Sequence, residues 1–282
     1  MIEVKDFRKK YKDFELDCTM EVKPGYVTGL IGRNGAGKTT TFKGVLGLIN
    51  GDSGSVKMFG KDVRELSAED KAKIGAVLSD SGFSRWLSIK KIDRILDATY
   101  KEHDSEKFMS LCKRFALPTD KITKDFSTGM MARLKLIVAL THKAEFVVLD
   151  EPTAGMDVIA RDEILELLRE YMEEDENRSI LISSHISSDI ESLCDDVYMI
   201  KDGKIVLHEE TDTILSEYGL LKVTNEQYES LEKDYILGKV KTSYGYDCLT
   251  NQRDFYAENY KDIAVEKGNL DMVQSILIKE EK

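Results

Sequence analysis

The residues from Gly32 to Thr40 are the part of the sequence whose types and spacing most clearly indicate chemistry. They fit the P-loop pattern, in which a glycine is followed after four residues by glycine, lysine and threonine. The backbone N–H groups of such a loop point at phosphate oxygens, and the next helix directs its positive N-terminal end at the same anion. The pattern therefore predicts a bound nucleoside triphosphate. The residues expected around it are Gly32, Asn34, Gly35, Ala36, Gly37, Lys38, Thr39 and Thr40.

Within this loop, Lys38 and Thr39 have the most specific expected roles. Lys38 can reach the β- and γ-phosphates, and the hydroxyl of Thr39 can bind Mg²⁺. The apolar run before the loop, residues 26–31, predicts a buried strand, and residues 40–48 predict a helix. A strand before and a helix after the loop are the context that a P-loop requires.

A second candidate site lies where another apolar strand ends. Residues 146–149 are entirely apolar, as is typical of a central parallel strand, and Asp150 and Glu151 follow directly. We expect Asp150 to hold Mg²⁺ through its water shell, and Glu151 to accept a proton from the water that attacks the γ-phosphate. An acidic pair at the end of a strand is common in isolation, but a P-loop in the same chain favours the catalytic interpretation.

Further segments of the chain resemble the sequence motifs of one family. Residues 126–130 resemble the signature LSGGQ, with Ser127 and Gly129 kept, and Ser127 is also a plausible helix N-cap. Residues 149–153 look like the Walker B end, and residues 154–157 look like the D-loop. In this order, the motifs resemble those of the ATP-binding subunit of an ABC transporter.

Two single residues extend this resemblance. His185 follows an apolar strand, at the position of the family's switch histidine, and Tyr11 falls at the A-loop position. Tyr11 could stack on an adenine ring, but a tyrosine in a short strand is as often a half-buried packing residue. The resemblance covers about residues 1–210.

The resemblance implies a fold and a mode of action. The fold is α/β, with a P-loop NTPase core, an antiparallel β-subdomain and an inserted helical subdomain at about 85–142. Residues 211–282 are expected to form a small C-terminal α+β appendage to the ATPase domain at 1–210. Two such subunits would pair head to tail, with each ATP held between the P-loop of one and the signature of the other. Lys38, Glu151 and His185 are the implied catalytic residues, Tyr11, Ser127 and Gly129 would also contact nucleotide, and ATP and Mg²⁺ are the implied ligands.

The sequence departs from the family pattern at the Q-loop. Where the family has glutamine, this chain has Ser79 followed by Asp80. Serine is too short to reach Mg²⁺ as glutamine does, so either Asp80 or a water molecule would fill the position. Thr128 and Met130 replace the glycine and glutamine of the signature, and signatures of this type resemble those of the ABC-2 exporter subfamily, whose ATPase is separate from its permease.

Composition and charge limit the other possibilities. The 282 residues carry a formal net charge of −11, which argues against broad binding to nucleic acid. No run approaches the roughly twenty apolar residues that span a bilayer, and residues 1–6 lack the apolar segment of a signal peptide. The four cysteines are scattered, as in a cytosolic protein with reduced thiols. We therefore expect a cytoplasmic subunit that lies on the inner face of the cell membrane through its permease.

The sequence argues against two other functions. A soluble ABC ATPase that acts on nucleic acid or the ribosome would usually carry a long coiled coil or a second cassette, and this chain has only about ninety residues between P-loop and signature. A degenerate regulatory cassette would be expected to lack a catalytic residue, whereas Lys38, Asp150, Glu151 and His185 are all present. The expected partners are thus a transmembrane permease and a second ABC ATPase, either an identical chain or a different one.

Two apolar patterns lie outside the ATP-binding motifs. A helical pattern runs over residues 88–117, and three bulky residues, Phe83, Trp86 and Leu87, precede it. They form either an interface with the permease or a cap on the helical subdomain's own core. Near the end of the chain, residues 270–278 predict an amphipathic helix that docks on another element.

Overall fold

Short strands form two sheets in the computed structural model, which describes residues 1–79 and 81–278. Within those residues, one sheet has ten strands and the other has four. The strands of the large sheet are β1 (Ile2–Lys10), β2 (Glu15–Val22), β3 (Val27–Ile31), β4 (Ser53–Met58), β5 (Lys61–Asp62), β6 (Ile74–Val77), β7 (Phe146–Asp150), β8 (Ser179–Ser183), β9 (Asp196–Lys201) and β10 (Lys204–Glu210). Those of the small sheet are β11 (Gly219–Val223), β12 (Ile236–Lys241), β13 (Tyr246–Thr250) and β14 (Ala264–Lys267).

Helices connect and cover these strands. They are α1 (Lys38–Val45), α2 (Ala68–Ala72), α3 (Ile89–Thr99), α4 (Ser105–Arg114), α5 (Thr128–Leu140), α6 (Val158–Glu173), α7 (Ser187–Leu193), α8 (Thr211–Glu217), α9 (Asn225–Ser230), α10 (Arg253–Asn259) and α11 (Leu270–Leu277). In the described part of the chain, no helix combines the length and the apolarity needed to cross a bilayer.

The large sheet has a parallel half that positions the predicted site. Its order is β9-β3-β8-β7-β6, and every residue of β3, β7 and β8 is buried, as expected for strands covered on both faces. Strand β3 ends at the P-loop and β7 ends at Asp150. In parallel sheets, ligands bind outside the carboxyl ends of the strands, so both predicted sites lie at the same edge of the sheet.

The other half of the sheet is mainly antiparallel. Strands β5, β4, β1 and β2 pair in that order, and the hairpin of β9 and β10 joins them to the parallel half. Burial alternates along β2, because one face of this half packs on the core and the other faces solvent. This arrangement agrees with the expected antiparallel β-subdomain.

Among the described residues between β6 and β7, three α-helices, α3, α4 and α5, form the insertion. The helical pattern over 88–117 is not one helix but two, because the chain leaves helical geometry at Tyr100 and starts again at Asp104. The Asp104 carboxylate accepts a hydrogen bond from the N–H of Lys107 and so caps α4. Helix α5 begins as predicted, with Ser127 as N-cap and its hydroxyl accepting from the N–H of Met130 at 3.2 Å.

The C-terminal region packs on the main core through its last helix. Helix α11 covers β12 and β13, and Leu270 and Val273 are buried in the same apolar cluster as the parallel sheet. On the other face of the small sheet, Leu221 and Tyr256 belong to a separate cluster. The predicted amphipathic helix at 270–278 is therefore present, and it docks on the rest of the chain.

Candidate functional site

The P-loop requires glycine at two points for different reasons. A side chain at Gly32 would bring its Cβ within 2.4 Å of the carbonyl oxygen of Ile200, which no other residue tolerates. Gly37 has a φ of 116° at the N-cap of α1, a conformation that residues with a side chain rarely adopt. The loop thus passes tightly over β9 and turns directly into the helix.

Lys38 lies at the centre of this loop. Its side chain is 7% exposed, and its Nζ donates a hydrogen bond to the carbonyl oxygen of Gly32 at 2.8 Å. The same Nζ lies 3.8 Å from Oε1 of Glu151. The P-loop ammonium group and the predicted catalytic carboxylate are therefore neighbours in space, although 113 positions separate them in the sequence.

Oxygen groups from three elements meet around Asp150. The hydroxyl of Thr39 donates to Oδ2 of Asp150 at 2.8 Å, and the hydroxyl of Ser183 donates to Oδ1, also at 2.8 Å. Asp150 is 3% exposed, so the two hydroxyls fix its carboxylate in one orientation. Hydroxyl and carboxylate oxygens are the ligands that Mg²⁺ prefers, so this pair of side chains fits the predicted metal site.

Glu151 adopts a backbone conformation that is rare for its residue type. Its φ is 54°, in the left-handed region, and its N–H donates to the hydroxyl of Ser183 at 3.1 Å. The Glu151 carboxylate accepts hydrogen bonds from the N–H of His185 at 3.0 Å and from Nδ1 of His185 at 2.6 Å. Since an ionised carboxylate can only accept, Nδ1 of His185 carries the proton and Nε2 is directed away from the pair.

A cavity of about 330 Å³ brings most of these residues together. The predicted residues on its wall are Asn34, Gly35, Gly37, Lys38, Thr39, Thr40, Asp150 and Glu151. Gly32 and Ala36 support the loop from behind, since Ala36 is buried in the core beneath it. The wall also contains Phe14, which the sequence analysis did not predict.

Phe14 and Tyr11 lie beside each other at the edge of this cavity. The Phe14 ring packs on the P-loop, where a Cβ at Gly37 would meet the tip of the ring at 3.0 Å. The Tyr11 ring lies 6.3 Å from that of Phe14 and is 44% exposed. The only sequence signal for Phe14 is a second aromatic residue close to the predicted A-loop position.

The signature residues line a neighbouring space instead. Ser127 and Thr128 border a cavity of about 510 Å³, which shares Asp150 and Glu151 with the P-loop cavity. Ser127 is exposed, and a side chain at Gly129 would meet open space. The start of α5 therefore presents a hydroxyl and free amides to the outside of the subunit.

The Q-loop position comprises Ser79 and Asp80. Ser79 lines both cavities. Asp80 is the candidate replacement for glutamine as a metal ligand, and it lies outside the described residues.

The four cysteines are free and buried, at Cys18, Cys112, Cys194 and Cys248. Burial away from water raises the pKa of the Cys18 and Cys112 thiols to about 12. Such thiols are inert, and the free cysteines agree with the reduced thiols that their scattered positions predicted.

Comparison with known proteins agrees with this geometry. The ABC transporter family matches residues 16–154. Lantibiotic transport ATP-binding protein SrtF of Streptococcus pyogenes is 34% identical over 215 residues, which cover 75% of this chain and 92% of that protein. This chain belongs to the ABC transporter family. Bacitracin transport ATP-binding protein BcrA of Bacillus licheniformis is 36% identical over 190 residues, 66% of this chain and only 61% of that relative.

Solved structures of ABC cassettes share the fold. A structure titled as the ATP-binding subunit of an ABC transporter has a TM-score of 0.69 and 25% identity, and the match covers 76% of this chain and 91% of that one. A dimeric cassette in a post-hydrolysis state with ADP and phosphate has a TM-score of 0.66 at 19% identity, over 75% of this chain and 99% of that one. The chain is accordingly an ATP-binding and ATP-hydrolysing subunit of an ABC transporter, as the sequence motifs predicted.

Proposed function

We propose that two cassettes of this type close on two ATP molecules and thereby drive export through a separate membrane permease. The observation that carries the proposal is the division of the site. Lys38 and Thr39 line the P-loop cavity, whereas Ser127 is exposed at the start of α5 and borders the neighbouring cavity. The P-loop of one subunit would therefore bind ATP that the signature of the other subunit completes. The second subunit is either an identical chain or another ABC ATPase.

In this proposal, the residues of the P-loop cavity divide the work of hydrolysis. Glu151 accepts the proton of the attacking water. Its carboxylate lies at the cavity wall, and both hydrogen bonds from His185 go to the same oxygen, Oε2. His185 holds that carboxylate through Nδ1 and offers Nε2 to the γ-phosphate region. Lys38 exchanges its bond to the Gly32 carbonyl for the β- and γ-phosphates.

Thr39 and Asp150 are the residues that would hold Mg²⁺, Thr39 directly and Asp150 through water. The ion would neutralise charge that develops on the phosphates. Asp80 remains a further candidate near this ion, as predicted from the sequence.

Family membership supports the proposed membrane partner and location. Relatives are named as ATP-binding proteins of transport systems, and the described part of this chain contains no helix that could cross a bilayer. A separate permease is therefore the proposed membrane component, with this subunit on the cytoplasmic face. The relatives are named for transport of bacitracin and of a lantibiotic, so antibiotics of these kinds are the first cargo that a transport assay should include.

The change of Glu151 to Gln tests the ATP-dependent dimer. The variant should bind ATP and Mg²⁺ but hydrolyse ATP at least about a hundredfold more slowly, because the amide cannot accept the proton. With hydrolysis blocked, ATP should hold two chains together, and size-exclusion chromatography with ATP should show a dimer that ADP does not support. Glu176→Gln, at an exposed carboxylate, should behave as wild type. Near-normal turnover in Glu151→Gln would reject Glu151 as the base, and a monomer with bound ATP would reject the dimer.

A further inference from the structure

A buried carboxylate connects the two loops that carry Glu151 and His185. Asp189 lies on α7, four residues after His185, and is 1% exposed. Its Oδ2 accepts a hydrogen bond from the hydroxyl of Thr153 at 2.8 Å, and Thr153 is buried as well. Since Thr153 lies two residues after Glu151, this hydrogen bond joins the segment after β7 to the segment after β8.

The same carboxylate also contacts the start of α6. Nη2 of Arg161 lies 3.1 Å from Oδ1 of Asp189, at ion-pair distance but without the alignment of a hydrogen bond. The N–H of Arg161 donates to the carbonyl oxygen of Asp157, whose side chain caps α6. Asp189 thus contacts Thr153, before the D-loop-like residues 154–157, and Arg161, after them in α6.

Burial of the Asp189 carboxylate costs stability, and a role in positioning the loop would explain why it is buried. Removing a carboxylate from water is unfavourable, and well-packed apolar side chains often replace a buried ion pair without loss of stability. The loop begins at Glu151, whose left-handed backbone is stable only where several contacts fix it. Asp189 and Thr153 provide one such contact from the side of His185, and the hydroxyl of Ser183 provides another.

We propose that Asp189 is a positioning residue for ATP hydrolysis, acting through Thr153 to hold Glu151 in line with His185. The inference rests on the proposed roles of those two residues. Asp189 does not touch nucleotide; it fixes the distance between the base and the histidine that orients it. Misplacement of a catalytic group by about 1 Å can lower a rate about a hundredfold, so a loose loop would slow hydrolysis and leave ATP binding unchanged.

Two substitutions of Thr153 separate positioning from packing. Thr153→Val keeps the shape and removes the hydroxyl, so kcat for ATP should fall about tenfold or more while KM stays within about twofold. Thr153→Ser keeps the hydroxyl and should restore most of kcat. Asp189→Ala, which removes the acceptor, should also lower kcat, and the double variant Thr153→Val with Asp189→Ala should be no slower than Asp189→Ala alone, because both changes remove the same hydrogen bond.

Thr141→Val is the matched control. Thr141, directly after α5, is equally buried, and its hydroxyl donates to the carbonyl oxygen of Ile137 in α5 at 2.9 Å. This variant should lose stability to a similar extent and keep wild-type kcat. The proposal fails if Thr153→Val has wild-type kcat, if Thr153→Ser is as slow as Thr153→Val, or if the two Thr153 variants differ from wild type only in melting temperature. Wild-type kcat in Thr153→Val together with an inactive Glu151→Gln would reject only the positioning role, whereas an active Glu151→Gln would reject the proposed base itself.

Discussion

At the scale of single residues, the site is organised by a few hydrogen bonds between side chains that are distant in sequence. Asp150 is oriented by Thr39 and Ser183, and Glu151 by His185. These bonds join β7 and the segment after it to β8 and to the segments after β3 and β8, so the order of strands in the sheet determines which groups can meet. The geometry of the candidate site is consequently fixed by three neighbouring parallel strands, β3, β8 and β7.

Two neighbouring aromatic residues, Tyr11 and Phe14, are candidates for contact with the adenine ring of ATP. Phe14 packs against the P-loop backbone, whereas the exposed ring of Tyr11 is free to stack on an adenine ring. Stacking of an aromatic side chain on a base contributes about 1–3 kcal/mol, so Tyr11→Ala should weaken ATP binding at least about fivefold. Titration of each variant with ATP and with inorganic triphosphate measures the contribution of stacking to the affinity, since only ATP has an adenine ring.

Tyr11→Phe is the control and should bind ATP as wild type does. If Tyr11→Ala binds both ligands normally and Phe14→Ala loses the preference for ATP, Phe14 is the stacking residue and the A-loop assignment of Tyr11 is wrong.

At the scale of secondary-structure elements, the start of α5 has two tasks. Ser127 caps the helix through the N–H of Met130, and it also presents the signature to the outside. A capping side chain contributes about 1 kcal/mol to stability, so capping alone could account for the serine at position 127. The two tasks can be separated because aspartate caps helices as well as serine does but carries a negative charge.

Ser127→Asp should therefore keep the melting temperature of wild type and abolish ATP-driven dimerisation in the Glu151→Gln background. The charge at position 127 would face the γ-phosphate of the ATP held by the other subunit and repel it. Ser127→Ala should show the opposite pattern, with lower stability and a weaker but detectable dimer. Thermal unfolding and size exclusion on the same samples give both quantities. A normal ATP-driven dimer in Ser127→Asp would show that the signature does not approach the phosphate.

Local signals predicted these elements well, and the connections between them poorly. The apolar run 146–149 of β7 and the serine before α5 are encoded in adjacent residues, so the sequence was sufficient to place them. The break between α3 and α4 depends on the cap at Asp104, which the apolar spacing over 88–117 does not reveal. The bond from Thr153 to Asp189 joins positions 36 apart, and no local pattern announces it.

The helical insertion exposes one bulky residue of the predicted apolar group. Phe83 and Leu87 pack partly on the core, whereas Trp86 is 64% exposed, with the ammonium of Lys124 4.9 Å from its ring centre. Large exposed aromatic side chains are typical anchors of interfaces. Trp86→Ala should thus leave ATPase activity of the isolated subunit unchanged and weaken co-purification with the permease. Leu48→Ala, at another exposed apolar side chain, should keep that association. Loss of ATP binding in Trp86→Ala would instead indicate a structural role.

At the scale of the whole molecule, α7 lies between the ATP site and the C-terminal region. One side of α7 bears Asp189, which contacts the catalytic loop, and its first residue, Ser187, donates to Oδ1 of Asp271 at 2.5 Å. The carboxylate of Glu191 accepts from the N–H of Leu270 at 2.7 Å and so satisfies the N-terminal end of α11. The region after residue 210 is therefore attached to α7, the helix that follows His185, the proposed switch histidine.

The strength of this attachment can be measured at Leu270, which is fully buried between α11 and the main core. Leu270→Ala should lower the free energy of unfolding by about 2–5 kcal/mol, as removal of a buried leucine side chain typically does. Because the contacts of α11 lie away from the P-loop cavity, the affinity for ATP should stay within about twofold of wild type. Urea denaturation, monitored by far-UV circular dichroism, gives the stability, and ATP titration gives the affinity. The control is Leu237→Ala, on the exposed side of β12, which should change stability by less than about 0.5 kcal/mol. If C-terminal tryptic cleavage rises in Leu270→Ala while ATP binding persists, residues 211–282 form the separable appendage that the sequence predicted; if ATP binding is lost together with the C-terminal fold, the two regions are one cooperative unit.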